Sequence, residues 1–338
     1  MSNTFAIDLG TYTIKIFSDA ADQIYVQKNM IAIENRSRMI AYGDSAYEMF
    51  EKAPANIVVS SPLSSGVIAD INNMELLIRM LMKDIQKGYL KGADYYISIP
   101  TDVTEVEKRA FYDLLKDAGI KARKIMAVDR SVADALGMGI DVKNSQGVLV
   151  VDVGYDTTEI SVLSLGGIVL SRLIKTGGHG FDATLVNAVR REFNLVIGMK
   201  TAESVRIAFH DADPVKDRDM EVSVFGRDIV TGLPKERKIT YDFAASSLAD
   251  SFRMIAESIR VTLERTPPEL AADIYRHGVF LTGGASTQAQ LWQMIGDEVS
   301  LPVNIAKSPV NSAVLGIAQI IRKSFYRSLA YTIEGLSK

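Results

Sequence analysis

The chain has 338 residues, enough for two domains with full cores, and its 47% hydrophobic and 23% charged content is that of an ordinary globular protein. A net charge of −3 without a Lys/Arg-rich stripe argues against nucleic-acid binding, and the absence of cysteine excludes disulfides, thiol chemistry and Cys-based metal sites. The N-terminus enters a strand almost at once, without a signal peptide, and no run approaches the roughly 18 apolar residues of a membrane span. We therefore expect a soluble, cytoplasmic protein.

Strands and helices alternate in the first half of the sequence, which predicts an α/β fold. Strands are predicted as a pair within 5–17 and at 24–33, 39–42, 95–100 and 124–128. Helices are predicted at 47–52, 73–87, 101–118 and 131–138. The segment 53–66, with two prolines and four serines, is expected to be an exposed loop.

The second half begins at about residue 146 and has the same alternation. Strands are predicted at 148–153, 158–163, 168–175, 221–225 and 278–284. One helix is predicted to begin at 177–182 and to end at 193. Further helices are predicted at 201–210, at 243–266, from about 287, and at 309–325. Pro267 and Pro268 are expected to end the long helix before them.

The most informative stretch is 148–159, a run of apolar β-formers that ends in Asp152 and Gly154 before a second strand. A turn of this kind offers backbone N–H groups and hydroxyls to an anion. The carboxylate is placed to hold the water shell of a cation. The pattern predicts a phosphate-binding hairpin, although a strand followed by Asp-x-Gly is common.

The same motif occurs near the N-terminus. Asp8, Gly10 and Thr13 have the spacing of Asp152, Gly154 and Thr157, and each set lies between two strands. Two copies of one phosphate hairpin favour a duplicated fold with a nucleotide between the halves. The alternative, two unrelated β-turns, is less favoured.

A third glycine turn and one charged pair complete the candidate site. Gly283 and Gly284 follow a strand, where ligands bind in α/β sheets and a base or ribose can approach the backbone. Glu203 and Arg206 are three residues apart on a predicted helix and so share a face. They suit an adenosine, but their spacing alone favours a solvated surface pair.

Seven segments resemble MreB, the bacterial actin of rod-shaped cells. They are 8–11, 66–70, 103–109, 160–169, 228–234, 266–273 and 281–284. The segments at 228–234 and 266–273 are far more specific than the glycine turns, which all actin-fold ATPases share. The blocks extend from residue 5 to about 320, so the resemblance covers nearly the whole chain.

The resemblance implies an α/β actin-like fold of two lobes, each with an RNase-H-like core and a smaller subdomain, and a nucleotide cleft between them. Lobe I would comprise 1–145, with a small insertion at about 34–72 and a C-terminal helix at 309–338 packing back on it. Lobe II would comprise 146–308, with a small subdomain at about 181–245.

The resemblance also implies ATP and Mg²⁺ as ligands. Asp8 and Asp152 would hold the Mg²⁺ water shell. Phosphates would contact Gly10, Thr11, Tyr12, Gly154, Tyr155, Asp156 and Thr157. The nucleoside would contact Gly178, Glu203, Arg206, Gly283 and Gly284.

The chain departs from the family where chemistry is expected. Tyr155 and Asp156 replace glycines of the second phosphate loop, and His179 replaces an acid. Asp129 and Arg130 stand where the family has two glutamates, the second of which orients the attacking water. Arginine cannot orient or deprotonate water, although it can stabilise charge on a γ-phosphate. We therefore expect weak or absent ATPase activity; the alternative is that Arg130 makes a structural ion pair and that another group does the catalytic work.

The sequence leaves two functions open. The first is an ATP-binding cytoskeletal protein that polymerises with itself and organises cell shape and cell-wall synthesis. Its partners would be the inner membrane surface and cell-wall synthesis membrane proteins, with no nucleic acid. The second is a small-molecule kinase of the same superfold, for which the sequence offers no obvious sugar-binding loop. A chaperone ATPase is disfavoured because no substrate domain follows residue 338.

Overall fold

Strands and helices alternate through most of the chain, and the computed structural model describes residues 3–213 and 215–333. The strands are β1 (Thr4–Leu9), β2 (Thr13–Ser18), β3 (Gln23–Lys28), β4 (Ile31–Glu34), β5 (Arg38–Tyr42), β6 (Ile57–Ser60), β7 (Leu63–Ser64), β8 (Val67–Ile68), β9 (Ala93–Ile99), β10 (Ala122–Asp129), β11 (Val148–Val153), β12 (Thr158–Ser164), β13 (Gly167–Ile174), β14 (Leu195–Val196), β15 (Glu221–Asp228), β16 (Pro234–Thr240), β17 (Val279–Thr282) and β18 (Val303–Ile305). The α-helices are α1 (Gly43–Met49), α2 (Ile71–Ile85), α3 (Glu105–Asp117), α4 (Arg130–Gly137), α5 (Gly178–Phe193), α6 (Met199–Ala208), α7 (Tyr241–Glu264), α8 (Pro268–His277), α9 (Ala289–Val299) and α10 (Ser312–Arg322). Short 3₁₀ helices cover Pro309–Asn311 and Ser324–Leu329.

These residues divide into two compact units. Of the described residues, unit 1 comprises 3–146, 161–173 and 310–333, and unit 2 comprises 147–160 and 174–309. Residues 1, 2, 214 and 334–338, which the predicted lobes and C-terminal helix include, lie outside the described part. The assignment of lobes and subdomains stays a prediction.

The main sheet of unit 1 has the strand order β10-β9-β1-β2-β3. The central strand β1 pairs antiparallel with β2 and parallel with β9. Phe5, Ile7 and Leu9 on β1 are buried in one apolar cluster with side chains of β2, β9, α2 and α3. A strand covered on both faces needs a nearly continuous apolar run, which explains the sequence of β1.

A second sheet repeats this order as β13-β12-β11-β17-β18. In unit 2, β17 lies parallel to β11 and β18 lies parallel to β17. Strand β11 therefore has the central place that β1 has in the first sheet. Because the two candidate metal carboxylates lie near the ends of these central strands, the repeated motif corresponds to a repeated topology.

Smaller sheets flank the two main ones. In unit 1, β4 pairs with both β5 and β6, and β7 forms a short hairpin with β8. In unit 2, β15 pairs with β14 and β16. The segment predicted as a loop at 53–66 therefore contains strands, because β6 finds its partner β4 more than 20 residues earlier in the chain.

Several helix limits differ from the sequence-based predictions. Helix α3 begins at Glu105 rather than at 101, because Thr104 and Glu107 form a reciprocal capping box. The predicted helix at 309–325 is α-helical over 312–322 only, with 3₁₀ turns on either side. Helix α8 was missed, since Pro268 starts that helix at its first position, where proline is well tolerated.

Helix α7 is the long amphipathic helix that the sequence predicts. Leu248, Phe252, Ile255 and Ile259 are buried and recur at helical spacing on one face. Within the described ranges, no helix combines the length and the apolar character needed to cross a bilayer.

Helices α4 and α10 of unit 1 pack with their backbones in contact. A Cβ atom on Gly137 would overlap the carbonyl oxygen of Ser312. A Cβ atom on Gly316 would likewise overlap the carbonyl oxygen of Ala133. This approach fixes α4, whose first residue is Arg130, against the helix that ends unit 1.

We expect Gly316→Ala to lower the free energy of unfolding by about 3 kcal/mol, because the added methyl group forces two helices apart. Urea unfolding followed by circular dichroism measures the change. Gly180→Ala is the matched control, since a Cβ added to this helical glycine would meet nothing within 4 Å. The control should leave stability unchanged or raise it by up to about 1 kcal/mol. Equal stabilities for the two variants would contradict the packing argument.

Candidate nucleotide-binding site

The two phosphate hairpins adopt the same turn. The N–H of Gly10 donates to the carbonyl of Thr13 at 3.1 Å, and the N–H of Gly154 donates to the carbonyl of Thr157 at 2.9 Å. A Cβ on Gly10 would lie 2.7 Å from the Thr13 carbonyl oxygen, which explains the requirement for glycine there. The repeated spacing in the sequence is therefore a repeated local geometry.

Asn29 supports the first hairpin and was not identified from the sequence. Its side-chain amide donates to the carbonyl of Gly10 at 3.0 Å, and its backbone N–H donates to the carbonyl of Tyr12 at 2.9 Å. Asn29 is fully buried between β3 and β4, where a single strand at 24–33 was predicted. Asn29, at the break between β3 and β4, is thus the residue that holds the turn of the first hairpin.

Asp8 lies near the end of β1, and three elements supply partners for its carboxylate. Lys15 Nζ on β2 lies 3.0 Å from Oδ2, and the hydroxyl of Ser98 on β9 donates to Oδ1 at 2.7 Å. Arg130 Nε on α4 lies 3.6 Å from Oδ1. Burial alone would raise the pKa of Asp8, but Lys15, Arg130 and the Ser98 hydrogen bond hold it below its ordinary value. Asp8 is therefore an ionised carboxylate that is compensated by the side-chain cations of Lys15 and Arg130.

Lys15 was likewise missed, because one lysine on a strand carries no sequence signal of its own. Its side chain is buried, and its ammonium nitrogen would lie 3.3 Å from a Cβ on Gly10. The ammonium group is thus next to the turn as well as next to Asp8.

The side chain of Tyr12 packs away from the turn, whereas its backbone belongs to it. The Tyr12 hydroxyl donates to the Tyr47 hydroxyl at 3.0 Å, and Lys28 Nζ lies 3.4 Å from the centre of the Tyr12 ring. The carbonyl of Thr11 accepts a weak hydrogen bond from Ser61 at 3.4 Å. Any phosphate contact of Tyr12 is therefore expected from its backbone.

Arg130 makes the ion pair that the sequence analysis left as an alternative. The side chain is buried, contacts Asp8 and donates to the carbonyl of Leu9 at 3.1 Å. Asp129, the N-cap residue of α4, accepts a hydrogen bond from the Tyr331 hydroxyl at 2.8 Å. Burial, with the nearby Asp129 carboxylate, raises the pKa of Tyr331 well above its ordinary value. Arg130 is thus engaged in a structural ion pair, and one oxygen of the Asp129 carboxylate is bonded to Tyr331.

In unit 2, the start of α5 is docked on the second hairpin by its backbone. The N–H of Gly178 donates to the carbonyl of Gly154 at 3.0 Å, and the N–H of His179 donates to the carbonyl of Tyr155 at 2.7 Å. A Cβ on Gly177 would approach the same two carbonyl oxygens to 2.6 and 2.7 Å. The glycines at 177 and 178 therefore permit this contact.

Arg206 is not the solvated surface residue that its spacing favoured. Its guanidinium is buried and makes two hydrogen bonds to Asp182 of α5, at 2.6 and 3.1 Å. Burial raises the pKa of Asp182, and Arg206 opposes that rise. A Cβ on Gly178 would lie 3.5 Å from the Arg206 guanidinium, so Arg206 lies next to Gly178. Glu203, one turn earlier on α6, adds its negative charge to the field around Arg206.

The diglycine turn lies against the end of β11. Gly283 has a φ of +92°, and a Cβ there would overlap Asp152 and the carbonyl of Val153. The N–H of Ala285 donates to the carbonyl of Val153 at 2.9 Å. Gly284 between them is exposed. The structure thus brings Asp152 and the diglycine turn together within unit 2.

The residues present fit a nucleotide with Mg²⁺. In unit 1, a glycine turn adjoins the ionised carboxylate of Asp8 and the ammonium group of Lys15. In unit 2, the backbone of Gly178 lies beside Arg206 and the Tyr155 ring, and Gly283 lies against Asp152 and Val153. Carboxylates for a hydrated cation, cations for phosphate and bare backbone for a nucleoside are the groups that such a ligand requires.

The Asp182–Arg206 pair gives a stability prediction with a defined pH dependence. In Arg206→Met, Asp182 can lose its buried charge by taking up a proton, whereas in Asp182→Ala the guanidinium cannot lose one. A carboxyl protonated in the native state but ionised in the unfolded state favours folding increasingly as pH falls. Relative to wild type, Arg206→Met should therefore gain about 1.4 kcal/mol per unit between pH 7 and 5.

Asp182→Ala is the matched control and should cost about 3 to 5 kcal/mol without that slope. The double variant, which has neither charge, should also be flat. Urea unfolding at several pH values measures all three. Parallel curves for Arg206→Met and Asp182→Ala would contradict the assignment of the buried charge.

Comparisons with known proteins give one consistent result. The family described as MreB/Mbl protein matches residues 2–327. The cell shape-determining protein Mbl of Bacillus subtilis (strain 168) is 33% identical over 312 residues, covering 92% of this chain and 93% of that protein. MreB 5 of Spiroplasma citri bound to AMPPNP has 32% identity and a TM-score of 0.90, over 97% of this chain and 99% of that one. The MamK double helical filament has 20% identity and a TM-score of 0.73, over 95% and 99% of the two chains, a likeness in fold alone.

Proposed function

The chain belongs to the MreB/Mbl family and has the actin-like fold that its sequence predicts, and from this premise we propose that it is an ATP-binding cytoskeletal protein that polymerises. The filaments would organise cell shape and cell-wall synthesis at the inner face of the membrane. Support comes from the cell shape-determining role named for its Bacillus subtilis relative and from the nucleotide in its Spiroplasma citri relative. The family assignment disfavours the small-molecule kinase.

The observation that carries nucleotide binding is the pair of identical glycine turns, each next to a carboxylate of a central strand. In this proposal, Asp8 and Asp152 hold the water shell of Mg²⁺, which neutralises phosphate charge when bound. Lys15 adds a cation beside the first turn. Arg206, Gly178 and the diglycine turn receive the nucleoside.

Slow hydrolysis is the second part of the proposal. Hydrolysis needs a group that orients and deprotonates water, and the place where the family has that glutamate holds Arg130. Its guanidinium pairs with Asp8, and Asp129 accepts a hydrogen bond from Tyr331. These contacts support a structural role for both residues, with the nucleotide acting as an assembly-coupled ligand.

We expect Arg130→Glu to raise ATP turnover by about 10²-fold, because it places a carboxylate where the family orients water. Phosphate release under conditions in which both proteins polymerise measures the change. Arg130→Gln is the matched control, since it removes the cation that pairs with Asp8 without supplying a base. Equal turnover in Glu and Gln variants would show that losing the cation matters more than gaining the carboxylate.

Assembly should depend on nucleotide binding rather than on cleavage. A ligand that contacts both hairpins stabilises the conformation that makes both contacts, and a filament built from that conformation then forms without hydrolysis. ATP and AMPPNP should therefore lower the critical concentration for assembly to a similar extent, and the filaments should persist.

Light scattering followed over time and electron microscopy with ATP, AMPPNP, ADP and no nucleotide measure this. Rapid disassembly with ATP but not with AMPPNP would mean that hydrolysis drives turnover. Absence of filaments under every condition would contradict the proposed function itself.

A further inference from the structure

Two charged residues that replace the family's residues at the second hairpin are partners of each other. Asp156 lies in the turn between β11 and β12, and His179 lies in the first turn of α5. Their side chains form a pair in which His179 Nδ1 lies 3.3 Å from Asp156 Oδ1. Neither Asp156 nor His179, considered alone in the sequence, indicates that the two side chains pair.

The pair is held by the surrounding structure. The imidazole of His179 stacks on the Tyr155 ring, with 5.3 Å between ring centres and 19° between planes. The backbone N–H of His179 donates to the carbonyl of Tyr155 at 2.7 Å, which fixes the helix start relative to the turn. Two consecutive residues of the hairpin, Tyr155 and Asp156, therefore position this one histidine.

The charges of the neighbourhood favour the imidazolium form. The hydrogen bond to Asp156 raises the pKa of His179, burial opposes the rise, and the charges of Asp156 and Asp182 add to it. Asp182 is itself paired with Arg206. The side chain of Asp156 is largely shielded from solvent, with 11% of its surface exposed. The histidine is thus the cation that faces Asp156 from α5.

An uncompensated carboxylate in a phosphate hairpin would repel a polyphosphate. At a separation of about 6 Å and an effective dielectric constant of about 20, the repulsion between two unit charges corresponds to about a hundredfold in affinity, and solvent exposure reduces it. An imidazolium next to that carboxylate removes most of the repulsion.

We propose that His179 is a specificity-determining residue for phosphate, whose imidazolium neutralises Asp156 and so allows the second hairpin to accept a nucleoside triphosphate. This inference rests on the proposed function. It makes the affinity for polyphosphate sensitive to pH, because the hairpin becomes more negative as His179 loses its proton. Adenosine, which carries no phosphate, should not sense the change.

The test is a double-mutant cycle with His179→Gln, Asp156→Asn and the double variant, each titrated calorimetrically with AMPPNP and Mg²⁺ at pH 6 and pH 8. At pH 6, His179→Gln should weaken AMPPNP binding by about tenfold, and Asp156→Asn should bind as well as wild type or more tightly. The double variant, which has neither charge, should bind AMPPNP about as tightly as wild type. Wild type and Asp156→Asn, which keep the histidine, should lose further affinity between pH 6 and pH 8, beyond the shared titration of the nucleotide, and the two variants without it should not.

Adenosine binding to all four proteins is the control for damage to the fold. A double variant that binds as weakly as His179→Gln, or no effect of His179→Gln at pH 6, would overturn the inference while leaving nucleotide binding intact. Absence of AMPPNP and ATP binding by the wild type at both pH values would overturn the proposed function and the inference with it.

A second measurement is made on the wild-type protein. The chain has three histidines, so the imidazole resonance of His179 can be followed by NMR and assigned with His179→Gln. Because linkage is reciprocal, AMPPNP should raise the pKa of His179 further above its ordinary value. A pKa that stays unchanged or falls on AMPPNP binding would overturn the inference.

Discussion

A buried carboxylate must be compensated where it lies, and Asp8 imposes this requirement on the centre of unit 1. Its partners come from β2, β9 and α4, so one charge ties three elements to the central strand. Removing any partner would leave charge in a region of low polarity, where its cost is high. The same carboxylate is the one proposed to hold the water shell of Mg²⁺, so the proposed site and the fold depend on a single residue.

Unit 2 handles charge differently, by pairing residues that would each be unfavourable alone. Arg206 and Asp182 form one buried pair, and Asp156 and His179 form another at the hairpin. Both pairs join α5 to a neighbouring element, α6 in the first case and the turn after β11 in the second. Asp156 can therefore occupy a place where the family has glycine, because helix α5 carries its partner His179.

The sequence predicts the parts of the site whose signals are local. Acid, glycine and threonine at fixed spacing after an apolar run define each hairpin, and both turns form as predicted. Partners chosen by tertiary packing have no such signal, so Lys15 and Asn29 were missed and Asp182 was not recognised as the partner of Arg206. Pro267 and Pro268 show a further ambiguity, since prolines that follow the end of one helix also stand at the start of the next.

The last described residues of the chain are hydrogen-bonded back to the start of α4 in unit 1. Tyr331 exchanges backbone hydrogen bonds with Ala127 at 2.8 and 2.9 Å, and its hydroxyl reaches Asp129 at the start of α4. Helix α4 in turn touches α10 backbone to backbone, and α10 leads through a 3₁₀ turn back to Tyr331. Residue 331 is thus held at two points, by its bridge to Ala127 and by its hydroxyl contact with Asp129. Detachment of Tyr331 from β10 would therefore release a contact that lies directly before Arg130 and its ion pair with Asp8.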